Sequence, residues 1–203
     1  MTLQVKISKK LVPYKTAFSL LKKRVELIKK SKGKELVWIL EHPITFTSGI
    51  RSKENEILDK KIKVIQTNRG GKITLHSPGQ KIVYFVLNLN KRKKDIKNLV
   101  KHIELSIIDF LKLYKIKAHA DKKNIGIWVK GKKIAAIGIR VSNWVAYHGF
   151  SININNDLKH YKKIIPCGLN NTKVTTAVAE SKTQISNIES KLKDIFLKKL
   201  KNI

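Results

Sequence analysis

Apolar residues recur along this chain in two rhythms. Between 14 and 30 they fall at Tyr14, Phe18, Leu21, Val25 and Ile28, with lysines opposite and Gly33 beyond the end, which predicts a helix. The same 3.6-residue period runs over 95–114 through Ile96, Leu99, Val100, Ile103, Ile107, Phe110, Leu111 and Tyr114. It returns at Ile185, Ile188, Leu192, Ile195, Phe196 and Leu200. Between these helices the pattern shortens to strand-like runs. Glu35–Leu40 (ELVWIL) reads as a buried strand, His42-Pro43 breaks it, and Ile44–Thr47 resumes it. Further strands are predicted over 63–67, 72–76, 81–89, 125–129, 133–141 and 144–154. Turns fall at Asn68–Gly71 and Ser77–Gly79, and Lys130-Gly131 makes a hairpin of the strands on either side. Short helical turns are predicted over 54–60 and 157–161. No repeat, low-complexity tract or linker divides the chain. Hairpin strands with flanking helices predict an α+β fold, a mixed β-sheet in a single domain of residues 1–203.

Charge adds a second feature. The 203 residues carry 44 Lys+Arg against 14 Asp+Glu, a formal net charge of +30. Such a surface suits acidic partners, either nucleic acid or acidic protein. A bias of composition toward Lys, Ile and Asn accounts for it equally well, because the lysines spread over the whole chain. No apolar run approaches the ~18 residues of a membrane span. The N-terminal residues lack the apolar stretch of a signal peptide, and one arginine among the first 25 does not make a transit peptide. The single cysteine excludes a disulfide within the chain and fits a reducing compartment, so a cytoplasmic location is expected.

That cysteine is the main candidate for chemistry. Cys167 stands between Pro166 and Gly168. A lone cysteine reads either as a small buried hydrophobe or as a nucleophile. Proline fixes φ before it, and the Gly168 N–H is a candidate oxyanion donor. Lys133, at the mouth of the apolar run Ile134–Ile137, is a candidate to set the charge of the thiol. Other signals fail. Gly126–Lys132 matches the first seven positions of a P-loop, but Lys133 stands where the Mg²⁺-binding Ser/Thr belongs. The six histidines show no metal-ligand spacing, and His42 reads as a polar residue at a strand end.

Three stretches taken together resemble the lipoyl(octanoyl) transferase family, also called lipoate–protein ligase B. They are Arg69-Gly70-Gly71-Lys72-Ile73-Thr74-Leu75-His76-Ser77-Pro78-Gly79-Gln80; Gly126–Val129 followed by Lys133–Gly138; and Tyr147–Phe150, Asp157-Leu158 and Pro166-Cys167-Gly168. Weaker echoes occur at Pro13-Tyr14, Glu41–Pro43 and Thr175-Thr176. The resemblance implies the fold of the biotin protein ligase and lipoate ligase catalytic domains. It implies transfer of an octanoyl or lipoyl group from acyl carrier protein to a lysine of a lipoyl domain. It places the acyl thioester on Cys167, with Lys133 as its partner. It places the acyl site at Arg69 to His76 (Arg69, Gly70, Gly71, Lys72, Ile73, Thr74, Leu75, His76), at Ala136, Ile137 and Gly138, and at Gly149, Phe150 and Ser151. The family's usual glycine after the histidine is Ser77 here. If that position needs positive φ the serine is strained; if it only gives room the serine narrows the site. Pro78 favours an extended Ser77, so the change is expected to be tolerated.

Such chemistry suits these residue types. A thiolate exchanges one thioester for another, and an amine then takes the acyl group. A nearby ammonium interacts with a thiolate by about 4 kcal/mol at 4 Å and an effective dielectric of 20. The same lysine can protonate the leaving thiol and later accept a proton from the incoming amine. Burying about six methylenes of an octanoyl chain contributes roughly 5 kcal/mol. No cofactor is expected, since the phosphopantetheine arm belongs to the donor. The implied partners are octanoyl-acyl carrier protein, the lipoyl domains of 2-oxoacid dehydrogenase E2 subunits and the glycine cleavage H protein. A monomer is expected, without nucleic acid or membrane. Two other readings stand beside this one: an ATP-dependent lipoate ligase, which would not need Cys167, and a basic nucleic-acid-binding protein.

Overall fold

The computed structural model of the protein describes residues 3–121, 123–168 and 173–203. In chain order the elements are β1 (Leu3–Ile7), α1 (Tyr14–Lys29), β2 (Glu35–Leu40), β3 (Thr45–Ser48), β4 (Val64–Gln66), β5 (Thr74–His76) and β6 (Gln80–Asn88). There follow α2 (Ile96–Lys112), β7 (His119–Ala120), β8 (Ile127–Val129), β9 (Lys132–Ser142), β10 (Val145–Asn153), α3 (Ala177–Glu180) and α4 (Ile188–Leu200). A seven-stranded sheet runs β1-β2-β6-β10-β9-β8-β7, and a three-stranded sheet runs β4-β3-β5. The β1–β2 and β3–β4 pairs are parallel and the rest antiparallel, so both sheets are mixed.

Helices cover both faces of the large sheet. In β2 the residues Leu36, Trp38 and Leu40 pack with Tyr14, Leu21, Val25 and Ile28 of α1. The alternate residues Val37 and Ile39 pack on the other face with α2 and α4, through Leu99, Ile103, Phe110, Leu192 and Phe196. Burial on both faces explains why Leu36–Leu40 is an unbroken apolar run. β6 follows the same parity, with Ile82, Tyr84 and Val86 toward α1 and Val83, Phe85 and Leu87 toward α2. Each such side chain taken fully out of water contributes about 1.5–3 kcal/mol.

β1 was not expected from the pattern. Four of its five residues are exposed, because it is an edge strand held by backbone pairing to β2. The turn at 54–60 is a 3-10 turn over Glu54–Glu56, and that at 157–161 is one over Lys159–Lys163. The α-helix at α3 was also unpredicted, being four residues long. No helix among the described residues is long and apolar enough to cross a membrane.

Candidate active site

The site is built on the α1-facing side of the large sheet, where the small sheet and its loops fold over β6, β10 and β9. At its floor β10 leaves regular geometry. His148 has φ +69 in mid-strand, and a Cβ added to the next residue, Gly149, would lie 1.9 Å from the Val83 carbonyl oxygen. Only glycine lets the backbones approach so closely. Gly149 pairs across the sheet with Gly138, leaving a stretch of floor without side chains. The loop carrying Arg69 to Gly71 lies over it, and the Gly70 N–H donates to the Ile139 carbonyl at 3.1 Å.

The result is a cleft of about 250 Å³. That is slightly below the ~300–1,000 Å³ of drug-sized ligand sites, and suits a thin ligand. Of the residues named from sequence, Arg69, Gly71, Lys72, Thr74, His76, Lys133, Ala136, Ile137, Gly138, Gly149, Phe150 and Ser151 line it. Gly70, Ile73 and Leu75 do not line it: Gly70 is spent on the bond to Ile139, while Ile73 and Leu75 are buried with Phe46 and Tyr161 under the small sheet. The alternation of β5 explains this, since Thr74 and His76 face one way and Leu75 the other.

Sequence reasoning missed Arg51, Ile82, Tyr84, Lys123, Asn124, Ile125 and His148, which also line the cleft. The parity of β6 carries a signal for Ile82 and Tyr84; Arg51 and Lys123 lie on loops where no period reaches them. Among the described residues, five that line the cleft are cationic and none is a carboxylate.

Arg69 is largely a staple. Its Nη2 donates to the Thr47 carbonyl at 2.7 Å and to Thr47 Oγ1 at 2.9 Å, and its Nη1 donates to the Gly70 carbonyl at 3.0 Å. Three histidines form a polar wall beside it. His76 Nδ1–H donates to Gln80 Oε1 at 2.8 Å, because Gln80 Nε2 is engaged with Asn153 Oδ1. His148 Nε2–H donates to Asn68 Oδ1 at 2.8 Å, while Asn68 Nδ2 donates to the Tyr147 hydroxyl. His42 donates through Nδ1 to the Val12 carbonyl and accepts at Nε2 from the Tyr84 hydroxyl at 2.9 Å. Each imidazole is thus held in one neutral tautomer. Burial pushes His42 down to about 4 and His76 and His148 down to about 3, and the Arg69 guanidinium adds to the shift at the last two. His42 stands after the end of β2, as expected, but is fully buried.

Lys133, at the start of β9, is 5% exposed. Its Nζ donates to the Ile125 carbonyl at 2.8 Å and stands 5.5 Å from the Trp128 ring centre. Its backbone is gripped from both sides: the Lys133 N–H donates to the Lys173 carbonyl at 2.8 Å, and Thr175 N–H donates back to the Lys133 carbonyl at 3.0 Å. Thr175 Oγ1 in turn donates to the Glu180 carboxylate, which also receives Lys132; these bonds hold that carboxyl at about 2.

The backbone of Pro166–Gly168 is a 3-10 turn. The Cys167 side chain lies outside the described residues. A small cavity of about 10 Å³ is lined by Thr74, Lys133, Ala136, Ser151, Pro166 and Val174, so the residue before Cys167 and the Lys133 side chain share a wall next to the cleft. The expected role of the Gly168 N–H is not what the structure gives: it donates to the Ile165 carbonyl at 3.0 Å. Nor does Ser77 narrow the site. It is absent from the cleft wall and its φ is not positive, but its buried Oγ has no partner among the described residues. The P-loop look-alike is strand β8 and a hairpin turn. No group of three metal-ligating side chains occurs among the described residues.

Residues 13–203 match the family described as the lipoyl protein ligase A/B catalytic domain. The chain is 41% identical over 198 residues to an octanoyltransferase of Wolbachia pipientis wMel, covering 95% of this chain and 97% of that one. It is 41% identical over 177 residues to an octanoyltransferase of Anaplasma marginale (strain Florida), covering 84% and 83%. The chain belongs to the octanoyltransferase family. Its fold is that of the lipoate and biotin protein ligases. A bipartite lipoate protein ligase from Thermoplasma acidophilum superposes with a TM-score of 0.74 at 16% identity, over 99% of this chain and 84% of that one. Biotin protein ligase from Aquifex aeolicus gives 0.52 at 15% identity, over 100% and 69%. The octanoyltransferase signature therefore sits on a scaffold shared with ligases of other chemistry.

Proposed function

We propose that this acyltransferase moves an octanoyl or lipoyl group from an acyl carrier protein thioester to the acceptor lysine of lipoyl domains, through an acyl thioester on Cys167. The donor thioester enters the cleft with its chain over the glycine floor. The Cys167 thiolate attacks the carbonyl carbon, the carbon–sulfur bond of the donor breaks, and the departing thiolate takes a proton from Lys133. The acceptor lysine then attacks the new thioester, gives its proton to Lys133, and leaves with the acyl group in an amide while the Cys167 thiolate is released.

One observation supports this most: the buried Lys133 and the Cys167-bearing turn border one small cavity beside a cleft lined by most of the residues that the resemblance implies for the acyl site. Lys133 is oriented through its bond to Ile125, and its strand is locked to the segment following the turn. The enzyme works without a cofactor of its own, in the cytoplasm and as a monomer, on E2 lipoyl domains and on the glycine cleavage H protein. Its basic surface meets acidic carrier and lipoyl domains rather than nucleic acid.

The test is transfer from octanoyl-acyl carrier protein to a purified lipoyl domain without nucleotide. Amide formation is expected under those conditions. Formation only from free octanoate and ATP would identify a ligase instead.

A further inference from the structure

With the Gly168 N–H spent on Ile165, the charge that develops on the thioester oxygen needs another partner. The structure places a cation next to the turn. Lys72 lines the cleft, and its Nζ lies against the Gly168 backbone: a Cβ added there would sit 2.1 Å from Lys72 Nζ and 2.4 Å from Glu56 Oε1. Gly168 has φ +64, so both its conformation and its contact with this pair require glycine. Glu56 lies 2.9 Å from the Lys72 ammonium, its side chain 4% exposed against 31% for Lys72. Apart from the Lys72 ammonium, no hydrogen-bond donor reaches the Glu56 carboxylate among the described residues. The carboxylate is thus buried behind the ammonium, and the positive end of the pair faces the cleft.

Glu56 is itself well anchored. Its carbonyl accepts from the Ile165 N–H at 2.8 Å, and the next residue, Ile57, bridges to Ile164. The segment that carries Glu56 and the segment that leads into Pro166-Cys167-Gly168 therefore move as one piece. A lysine on a flexible stem is a poor fixed dipole, but a buried counter-charge and a glycine backbone hold this one in place.

We propose that Lys72 is a catalytic residue that pairs with the oxyanion formed at the Cys167 thioester, and that Glu56 is the positioning residue that holds it there. This rests on the acyl-enzyme reading above. When the Cys167 thiolate adds to the donor carbonyl, the π electron pair moves to oxygen and the oxyanion is met by the Lys72 ammonium. No proton is transferred to it. When the tetrahedral intermediate collapses, the electron pair returns, the donor carbon–sulfur bond breaks, and Lys133 protonates the leaving thiolate. The same cation serves again when the acceptor amine attacks.

The experiment compares two reactions of one thiol. S-octanoyl-pantetheine acylates Cys167 through an oxyanion; iodoacetamide alkylates it without one. Both are followed by intact mass on the full chain, at saturating thioester. Lys72→Met should slow acylation about 10²–10³-fold, the usual cost of one oxyanion donor, with a much smaller loss in alkylation. Lys72→Arg should recover acylation to within about tenfold of the native rate, because the charge is kept. Glu56→Gln should lower the maximal acylation rate about tenfold at unchanged KM. Lys72 is partly exposed, so its variants serve even if Glu56→Gln fails to fold. Acylation of Lys72→Met at the native rate, or equal losses in acylation and alkylation, would overturn the proposal alone. Active native protein that never carries octanoate on Cys167 would overturn the acyl-enzyme reading, and the proposal with it.

Discussion

Acidification should unfold this protein well above the pH at which carboxylates titrate. His42, His76 and His148 are buried beside the cleft as neutral imidazoles, held at about 4, 3 and 3. Each folded value lies below the ~6.5 of an unfolded histidine. The unfolded chain therefore binds three protons that the folded chain refuses, and stability is complete only above about pH 6.5. Below it each group removes about 1.36 kcal/mol per pH unit, so three remove roughly 4 kcal/mol per unit. At pH 5 the loss is about 6 kcal/mol, comparable with the 5–15 kcal/mol total of an ordinary domain. The Glu180 carboxyl, at about 2, contributes its own loss only at much lower pH. Urea unfolding between pH 7.5 and 5 measures this directly, and near pH 5.5 the slope should correspond to an uptake of nearly three protons. An uptake below one proton would refute the neutral, buried histidine wall.

Three further outcomes are expected. Lys133→Ala should slow Cys167 alkylation and cut octanoyl transfer by at least about 10²-fold; Lys133→Arg should alkylate readily yet discharge the thioester slowly, because arginine does not release its proton. Time courses of intact mass distinguish the two. Ser77→Ala removes a buried hydroxyl that has no partner among the described residues, and should raise stability by about 1 kcal/mol in denaturant titrations. Raising salt should raise KM for both carrier and lipoyl domains with little change in kcat, if the net charge of +30 recruits acidic partners; a KM indifferent to salt would assign that charge to composition.

Periodicity exposed the scaffold because burial follows it. The α1 positions Tyr14, Leu21, Val25 and Ile28 and the α2 positions Leu99, Ile103, Ile107, Phe110 and Leu111 are all in the core. It overreached at Ile96, which is 40% exposed at the first turn of α2. It was silent on β1, whose strand character lies in backbone bonds rather than side chains. The site was legible only as a combination of motifs. Arg69 to His76, Lys133 to Gly138 and Gly149 to Ser151 lie far apart in sequence, and no rhythm says that they converge. Within those motifs the assignment to individual residues was coarser than the geometry, which turns Ile73 and Leu75 away from the cleft. Glu56 left no trace in the pattern. A glutamate in a polar stretch reads as solvated, and only the fold buries it behind Lys72.

The most direct measurement is the intact mass of the protein after incubation with octanoyl-acyl carrier protein, with no acceptor present. The protein is expected to gain one octanoyl group, located on Cys167, removed by hydroxylamine, and passed to a lipoyl domain when that is added. Active protein that carries no adduct, or carries it on another residue, would contradict the account.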